Sequence, residues 1–430
     1  MNGFYSDPES FYYPRWLTPA LRSAVAVNPV VVLTGARQVG KSTLLRHAEP
    51  FRSWRYHTLD DFDVLEQVRV HPQSLWAGAK EVVLDEVQRA PELLSAVKRA
   101  VDEEPDRRFL LSGSANLMLM RQVSESLAGR AVYFVLHPMT LGELQGQPPG
   151  DLVHESLQQH WPDEGTLAEA PPDPTLLMLR GFMPRLLALA SPTDWLRWWE
   201  GYVATYLERD LRQISQIDSL VDFRRVMAFL ALRCGQLLNQ SEVSRDAGMS
   251  QPTVHRYVNL LEASHLFDRL PSYAASRTTR LVKAPRSFWT DPGLAVFLAG
   301  YFDEAALRQS REYGHFFETL IYLHLRVQVD MLTPRGRLFF WRTQQGSEVD
   351  FVVEQGRHVL GIEVKLTTRP GYQHIDGLRR FLKEHEQASG GLLVHGGSQI
   401  RRLDENIVAI PWTLLAGSAP LAIDGLNSGE

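Results

Sequence analysis

The residues best suited by type and spacing to chemistry lie in VVVLTGARQVGKSTLL, where Gly35, Gly40, Lys41 and Ser42 fit G-x-x-x-x-G-K-[ST]. The segment reads as strand, glycine-rich turn, helix. Glycines in the turn let the backbone curl so that successive N–H groups point inward at a phosphate. The helix beginning near Lys41 adds its positive N-terminal end. Lys41 can then reach the β- and γ-phosphates of ATP, and the Ser42 hydroxyl can ligate Mg²⁺. Ala36, Arg37, Gln38 and Val39 complete the loop and Thr43 follows it, so Gly35 to Thr43 is the expected nucleotide-binding segment.

A second set follows in EVVLDEVQRAP. Three apolar residues, Val82 to Leu84, read as a buried strand whose carboxyl end presents Asp85 and Glu86. Ligands gather at that end of strands in open α/β sheets. Asp85 is expected to hold the hydration shell of Mg²⁺ and Glu86 to polarise the attacking water, a division of labour that belongs to a hydrolase. The next strand ends in FLLSGSAN, where Ser112, Ser114 or Asn116 could contact the γ-phosphate, or simply close the strand as a polar turn. In SLAGRAVYF, Arg130 precedes the last strand. It could stabilise transition-state charge in cis or in trans, or be a surface arginine.

Near the C-terminus, WRTQQGSEVDFVVEQGRHVLGIEVKL reads as a hairpin. Alternate residues of a strand share a face, which puts Glu348 with Asp350 on one strand and Glu363 with Lys365 on the next. Glu318 sits in an otherwise apolar helix, REYGHFFETLIYLHL. A buried carboxylate there requires a cation, a metal or a donor. The order Asp350, Glu363, Lys365 resembles the PD-(D/E)xK nuclease core, with Val349 in place of its leading proline. That resemblance implies Asp350 and Glu363 as Mg²⁺ ligands, Lys365 orienting the water, and Glu318 supporting the metal. Cross-strand salt bridges on a charged hairpin face are the other reading.

Between these sites, LLNQSEVSRDAGMSQPTVHRYVNLLEAS reads as a helix-turn-helix. Ser241 and Ser250 are candidate caps and Gly248 permits the turn. Val254, Tyr257, Val258 and Leu261 form an apolar stripe, which leaves Gln251, Thr253, His255, Arg256 and Asn259 outward. A following wing would carry Arg277, Arg280, Lys283 and Arg286 as a basic strip. Such residues can contact DNA, although winged helices also serve as ATPase lids and protein-contact modules.

The elements that must position these groups follow from periodicity. Apolar runs at Val30–Leu33, Trp54–Leu59, Glu81–Leu84, Arg108–Leu111 and Ala131–Leu136 alternate with helical stretches, as parallel strands covered on both faces do. The expected fold class is α/β: a doubly wound parallel sheet, then a helical and winged-helix region, then a restriction-endonuclease-like α/β domain. The expected domains are 1–150, an ATPase; 151–234, a Pro-rich insertion and helical lid or linker; 235–298, winged-helix-like; and 299–430, nuclease-like. The tryptophans of TDWLRWWEGYVATYLERDL read as helix packing. At 430 residues the chain exceeds one core. A net charge of −5 excludes a uniformly basic nucleic-acid binder but not a local basic face. Cys234, the one cysteine, excludes internal disulfides and cysteine-built zinc sites. No run approaches a membrane span and the N-terminus lacks a signal pattern, so a cytoplasmic place and no membrane partner are expected.

Taken in order, the loop, LDEVQ, LLSGSAN, LAGR, HPMTLGEL, the QPTVHRYVNLLE stretch, FWTDPGLAVFLAG and WRTQQGSEVDFVVE…GIEVKL resemble the prokaryotic AAA-type ATPases that carry a C-terminal domain of unknown function. The resemblance covers nearly the whole chain except residues 145–174. It implies an ATPase fused to winged-helix-like and nuclease-like regions, with ATP and Mg²⁺ as cofactors. It leaves DNA, a protein partner or a homo-oligomer as what the ATPase acts with. The function expected is ATP hydrolysis associated with DNA. The alternative is a regulatory switch or chaperone-like module whose C-terminal domain is a non-catalytic scaffold.

Overall fold

A computed structural model of the chain describes residues 12–113, 127–205, 217, 219–274, 280 and 283–417. Ser114, Asn116 and Arg277 therefore lie outside the described residues. Contacts divide the chain into two units, Met1–Met139 with Ala263–His265, and Thr140–Glu262 with Leu266–Glu430.

In the first unit, helix α1 (Thr18–Val27) leads into strand β1 (Val30–Thr34) and then α2 (Lys41–His47), β2 (Arg55–Thr58), α3 (Phe62–Val70), β3 (Glu81–Asp85), α4 (Leu93–Glu103), β4 (Arg108–Ser112) and β5 (Ala131–Val135). The five strands form one sheet in the order β2-β3-β4-β1-β5, every pair parallel. β1 sends its crossover towards β2 while β4 sends its own the other way, past β1 to β5. That reversal leaves a crevice at their carboxyl ends, where such sheets bind ligands. Val30, Val32, Leu84, Phe109 and Leu111 are fully buried, and α4 covers them with Leu93, Leu94, Val97 and Val101. Each such side chain contributes about 1.5–3 kcal/mol by leaving water. The expected α/β class holds.

The second unit is built on a seven-stranded mixed sheet. Its strands are β6 (Gly165–Thr166), β9 (Arg337–Arg342), β10 (Glu348–Gln355), β11 (His358–Lys365), β12 (Ala388–His395), β13 (Gln399–Asp404) and β14 (Ile407–Pro411), in the order β6-β13-β14-β12-β11-β10-β9. A separate antiparallel pair, β7 (Phe267–Leu270) and β8 (Arg286–Trp289), registers Leu270 opposite Arg286. Before that pair come α5 (Leu220–Leu232), α6 (Gln240–Ala247) and α7 (Gln251–Ala263). Between the pair and β9 runs α8, Tyr313–Met331, with Phe316, Phe317, Leu320, Ile321 and Leu325 fully buried. β10 is antiparallel to β9 and β11, as a hairpin requires, and β11 reaches its parallel neighbour β12 through α9 (Asp376–Glu384). The stretch around residues 145–174, expected as a boundary, is instead part of this sheet's packing. β6 pairs with β13, and the Ser389 hydroxyl donates to the Leu157 carbonyl at 2.6 Å.

Between α6 and α7, Gly248 takes φ 69°, a left-handed turn that costs a residue without Cβ nothing. The cap of α6 is Asn239, which accepts from the Ser241 and Glu242 N–H groups, so Ser241 is inside the first turn rather than capping it. Ser250 does accept from Thr253 N–H at 3.3 Å. Val254, Tyr257, Val258 and Leu261 are buried as the stripe requires, and Leu260 is buried with them. No helix among the described residues is long and apolar enough to cross a membrane.

Candidate functional site

The loop from Gly35 to Gly40 leaves the carboxyl end of β1 and enters α2 at Lys41. Gly35 has φ 146°, and a Cβ on it would lie 2.3 Å from the Leu136 carbonyl oxygen, so only glycine lets the turn pass that close to the chain after β5. Lys41 is buried, and its Nζ donates to the Gly35 and Ala36 carbonyls at 3.0 and 2.9 Å. Burial lowers its pKa to about 8, against the charges of Glu86 and Asp85, which favour the protonated form. Ala36 and Val39 are buried, Arg37 and Ser42 half-buried, Gln38 and Thr43 exposed. The sequence pattern missed Arg15. Its Nη1 donates to the Val39 carbonyl and its Nη2 to the His137 carbonyl, both at 2.7 Å, which braces the loop from a residue with no motif around it.

Asp85 ends β3 with 1% of its surface exposed. Its Oδ1 accepts from Glu86 N–H at 3.0 Å and its Oδ2 from the Tyr56 hydroxyl at 2.5 Å. Glu86 follows in the left-handed region, φ 57°, and accepts a hydrogen bond from the Gln88 side chain. Burial raises the Glu86 pKa; the Gln88 bond opposes that rise and the charge of Asp85 adds to it. Burial, then Asp85, also pushes the Tyr56 pKa up, so Tyr56 donates as a neutral phenol. Ser112, at the end of β4 and opposite Leu33 of β1, is fully buried, and among the described residues its hydroxyl has no hydrogen-bond partner. Ser114 lies outside the described residues.

A close-fitting glycine turn and buried lysine after β1, with two acids at the carboxyl end of β3, suit a polyphosphate with its Mg²⁺. Arg130 does not belong to this set in its own chain. Its carbonyl accepts from Val30 N–H at the opposite end of β1, about 13 Å of strand away from Thr34. Its guanidinium pairs with Asp102 at 2.6 and 3.0 Å, and the residue lies at the amino end of β5, so among cis, trans and surface readings the arrangement speaks against a contact in cis.

The C-terminal carboxylates do converge, around a guanidinium. Arg286, 8% exposed on β8, donates through Nη1 to Asp350 Oδ1 at 3.1 Å and through Nη2 to Glu318 Oε2 at 2.6 Å. Asp350, 3% exposed, also accepts from Val364 N–H at 2.9 Å. Lys365 Nζ donates to Glu363 Oε1 at 2.6 Å, while Glu363 Oε2 is buried without a hydrogen-bond partner among the described residues. Burial, with the charge of Asp350 beside it, lifts the Glu363 pKa to about 8. Among the described residues no group of three or more His, Cys, Asp or Glu side chains is arranged to hold a metal ion. Asp350, expected as an Mg²⁺ ligand together with Glu363, here carries the Arg286 guanidinium on one oxygen and the Val364 N–H on the other. The cation that Glu318 and Asp350 share is Arg286, which the sequence had placed in an exposed basic strip. Arg280 leaves that strip too, donating to both Glu354 oxygens at 2.9 Å and lying over the rings of Tyr273 and Phe339; Lys283 alone of the described three is exposed.

A family described as AAA domain matches residues 27–145. Two domains of unknown function, DUF8612 and DUF4143, match residues 173–305 and 313–415. The uncharacterized protein Rv2008c of Mycobacterium tuberculosis and Mb2031c of Mycobacterium bovis are each 31% identical over 394 residues, covering 91% of this chain and 82% of theirs. The chain belongs to the prokaryotic AAA-type P-loop ATPases with a C-terminal domain of unknown function. Among solved structures, the Walker-type ATPase paby2304 of Pyrococcus abyssi is similar at 16% identity and TM-score 0.42, over 67% of this chain and 96% of that one. A signal transduction ATPase with numerous domains, PH0952 of Pyrococcus horikoshii, is similar at 9% identity and TM-score 0.23, over 74% and 46%. The stretch between the AAA domain and DUF8612 contains β6, a part of this AAA-type ATPase that the matched families do not cover.

Proposed function

We propose that this AAA-type protein hydrolyses ATP with Mg²⁺ at the end of β1, and that its C-terminal region is a non-catalytic scaffold through which a nucleotide-dependent switch engages a partner. The observation that carries the first part is the meeting of a buried Lys41 with Asp85 and Glu86 at the carboxyl ends of the parallel strands. Bound Mg²⁺ supplies charge neutralisation at the phosphates. Loop N–H groups from Gly35 to Thr43 and the Lys41 ammonium, released from the Gly35 and Ala36 carbonyls, orient the phosphate chain. The Ser42 hydroxyl and the Asp85 carboxylate would hold the metal and its water shell. Glu86, with its pKa raised by burial, is a stronger base for a water proton than a solvated carboxylate. Lys41→Ala is expected to abolish binding of a fluorescent ATP analogue. Glu86→Gln should keep that binding while phosphate release falls about a hundredfold or more; undiminished turnover would remove Glu86 from its role.

The scaffold part rests on Arg286, whose guanidinium occupies Asp350, one of the two carboxylates a nuclease would need for metal, together with the supporting Glu318. A DNA-cleaving reading keeps one observation in its favour, the buried and unpartnered Glu363 Oε2 beside Lys365. DNA association rests on α7, where Gln251, His255 and Arg256 are exposed and Thr253 is half-buried.

A further inference from the structure

Tyr56 belongs to no motif, and β2 is the edge strand farthest from β1. Its neighbour is β3, in parallel register with Tyr56 beside Val83 and Thr58 beside Asp85. Side chains two apart share a face, so Tyr56 and Asp85 are diagonal same-face neighbours, at a separation that only a long side chain spans. The phenol crosses it and donates to Asp85 Oδ2 at 2.5 Å. Glu86 N–H holds the other oxygen at 3.0 Å. With one donor on each oxygen the carboxylate cannot rotate, and each oxygen keeps a lone pair for a metal-bound water. The guanidinium of Arg46 lies 4.6 Å over the Tyr56 ring, and Arg46 stands in the last turn of the same α2 that opens with Lys41 and Ser42. We propose that Tyr56 is a positioning residue of the ATPase site: it fixes the Asp85 carboxylate for the Mg²⁺ hydration shell and ties that carboxylate to the phosphate-loop helix through Arg46.

The proposal rests on the reading of Asp85 as the acid on the metal side, and the experiment separates the two. Phosphate release at saturating ATP and, separately, Mg²⁺-dependent binding of a fluorescent ATP analogue are followed while free Mg²⁺ is titrated, in the full chain and in Tyr56→Phe, Asp85→Asn and Arg46→Ala, the midpoint being read from both. Tyr56→Phe keeps the ring and loses only the hydroxyl. It should raise the half-saturating Mg²⁺ about tenfold, the effect of one hydrogen bond to a charged group, with turnover largely recovered at high Mg²⁺. Arg46→Ala should shift the same midpoint in the same direction by less. An unmoved midpoint in Tyr56→Phe, whether turnover is intact or uniformly reduced, overturns the proposal provided Asp85→Asn moves it. An unmoved midpoint in Asp85→Asn overturns the reading of Asp85 itself, and the proposal with it.

Discussion

At the scale of single residues, burial shifts an ionisable group in each candidate site, Lys41 in the first unit and Glu363 in the second. Lys41 is lowered to about 8, so its charge is the part of the phosphate loop most sensitive to a rise in pH. Glu363 is raised to about 8, with the sign opposite to that of a stabilising carboxylate. The native chain binds the Glu363 proton more tightly than the unfolded chain does. Stability from this group is therefore lost as pH rises from about 4.5 to 8, where the buried charge must form. Glu363→Gln keeps an acceptor for Lys365 and removes the titration. It should be more stable than the wild type by on the order of 2 kcal/mol at pH 8 and near equal at pH 5. Urea midpoints at the two pH values check this, and the same difference at both would mean that Glu363 is ionised throughout.

At the scale of elements, Arg286 pins strand β8 to helix α8 through Glu318 and to strand β10 through Asp350. Breaking a buried pair by removing one partner leaves an uncompensated charge and costs about 3–5 kcal/mol. Arg286→Met should destabilise the second unit by that amount in urea denaturation. Adding Glu318→Gln and Asp350→Asn should recover most of the loss, because a neutral cluster of similar shape no longer needs a counter-ion. Failure of the triple variant to recover would place the Arg286 contribution in packing, through its stem and its contact with Phe288, rather than in charge. The helix pair α6–α7 was far more legible, since Gly248, Ser250 and the apolar stripe act within a few residues of one another. Only its first cap moved, by two residues, from Ser241 to Asn239.

At the scale of the whole molecule, ATPase and C-terminal region are expected to differ in chemistry, the first hydrolytic and the second not. Plasmid DNA incubated with the full chain and Mg²⁺ or Mn²⁺ should be nicked no faster than with Asp350→Asn; a rate at least tenfold above that variant would restore the nuclease reading. What the sequence alone determined was everything set by local sterics and short-range periodicity. Glycine spacing with a lysine at the strand-to-helix turn specified the phosphate loop. Apolar runs closed by Asp85 and Glu86 specified a parallel sheet with acids at one edge. Tertiary structure decided which groups face which. Arg286 meets Asp350 across 64 residues of chain, and Tyr56 meets Asp85 across 29, contacts that no local pattern encodes. Arg130 precedes a strand, and only the parallel register shows that this is the end of the strands away from Lys41. Short-range patterns choose the elements because backbone sterics act over a turn or a pleat. The partner of a buried charge is chosen by the whole packed core, because the cost of leaving that charge unpaired is felt only after water has been excluded.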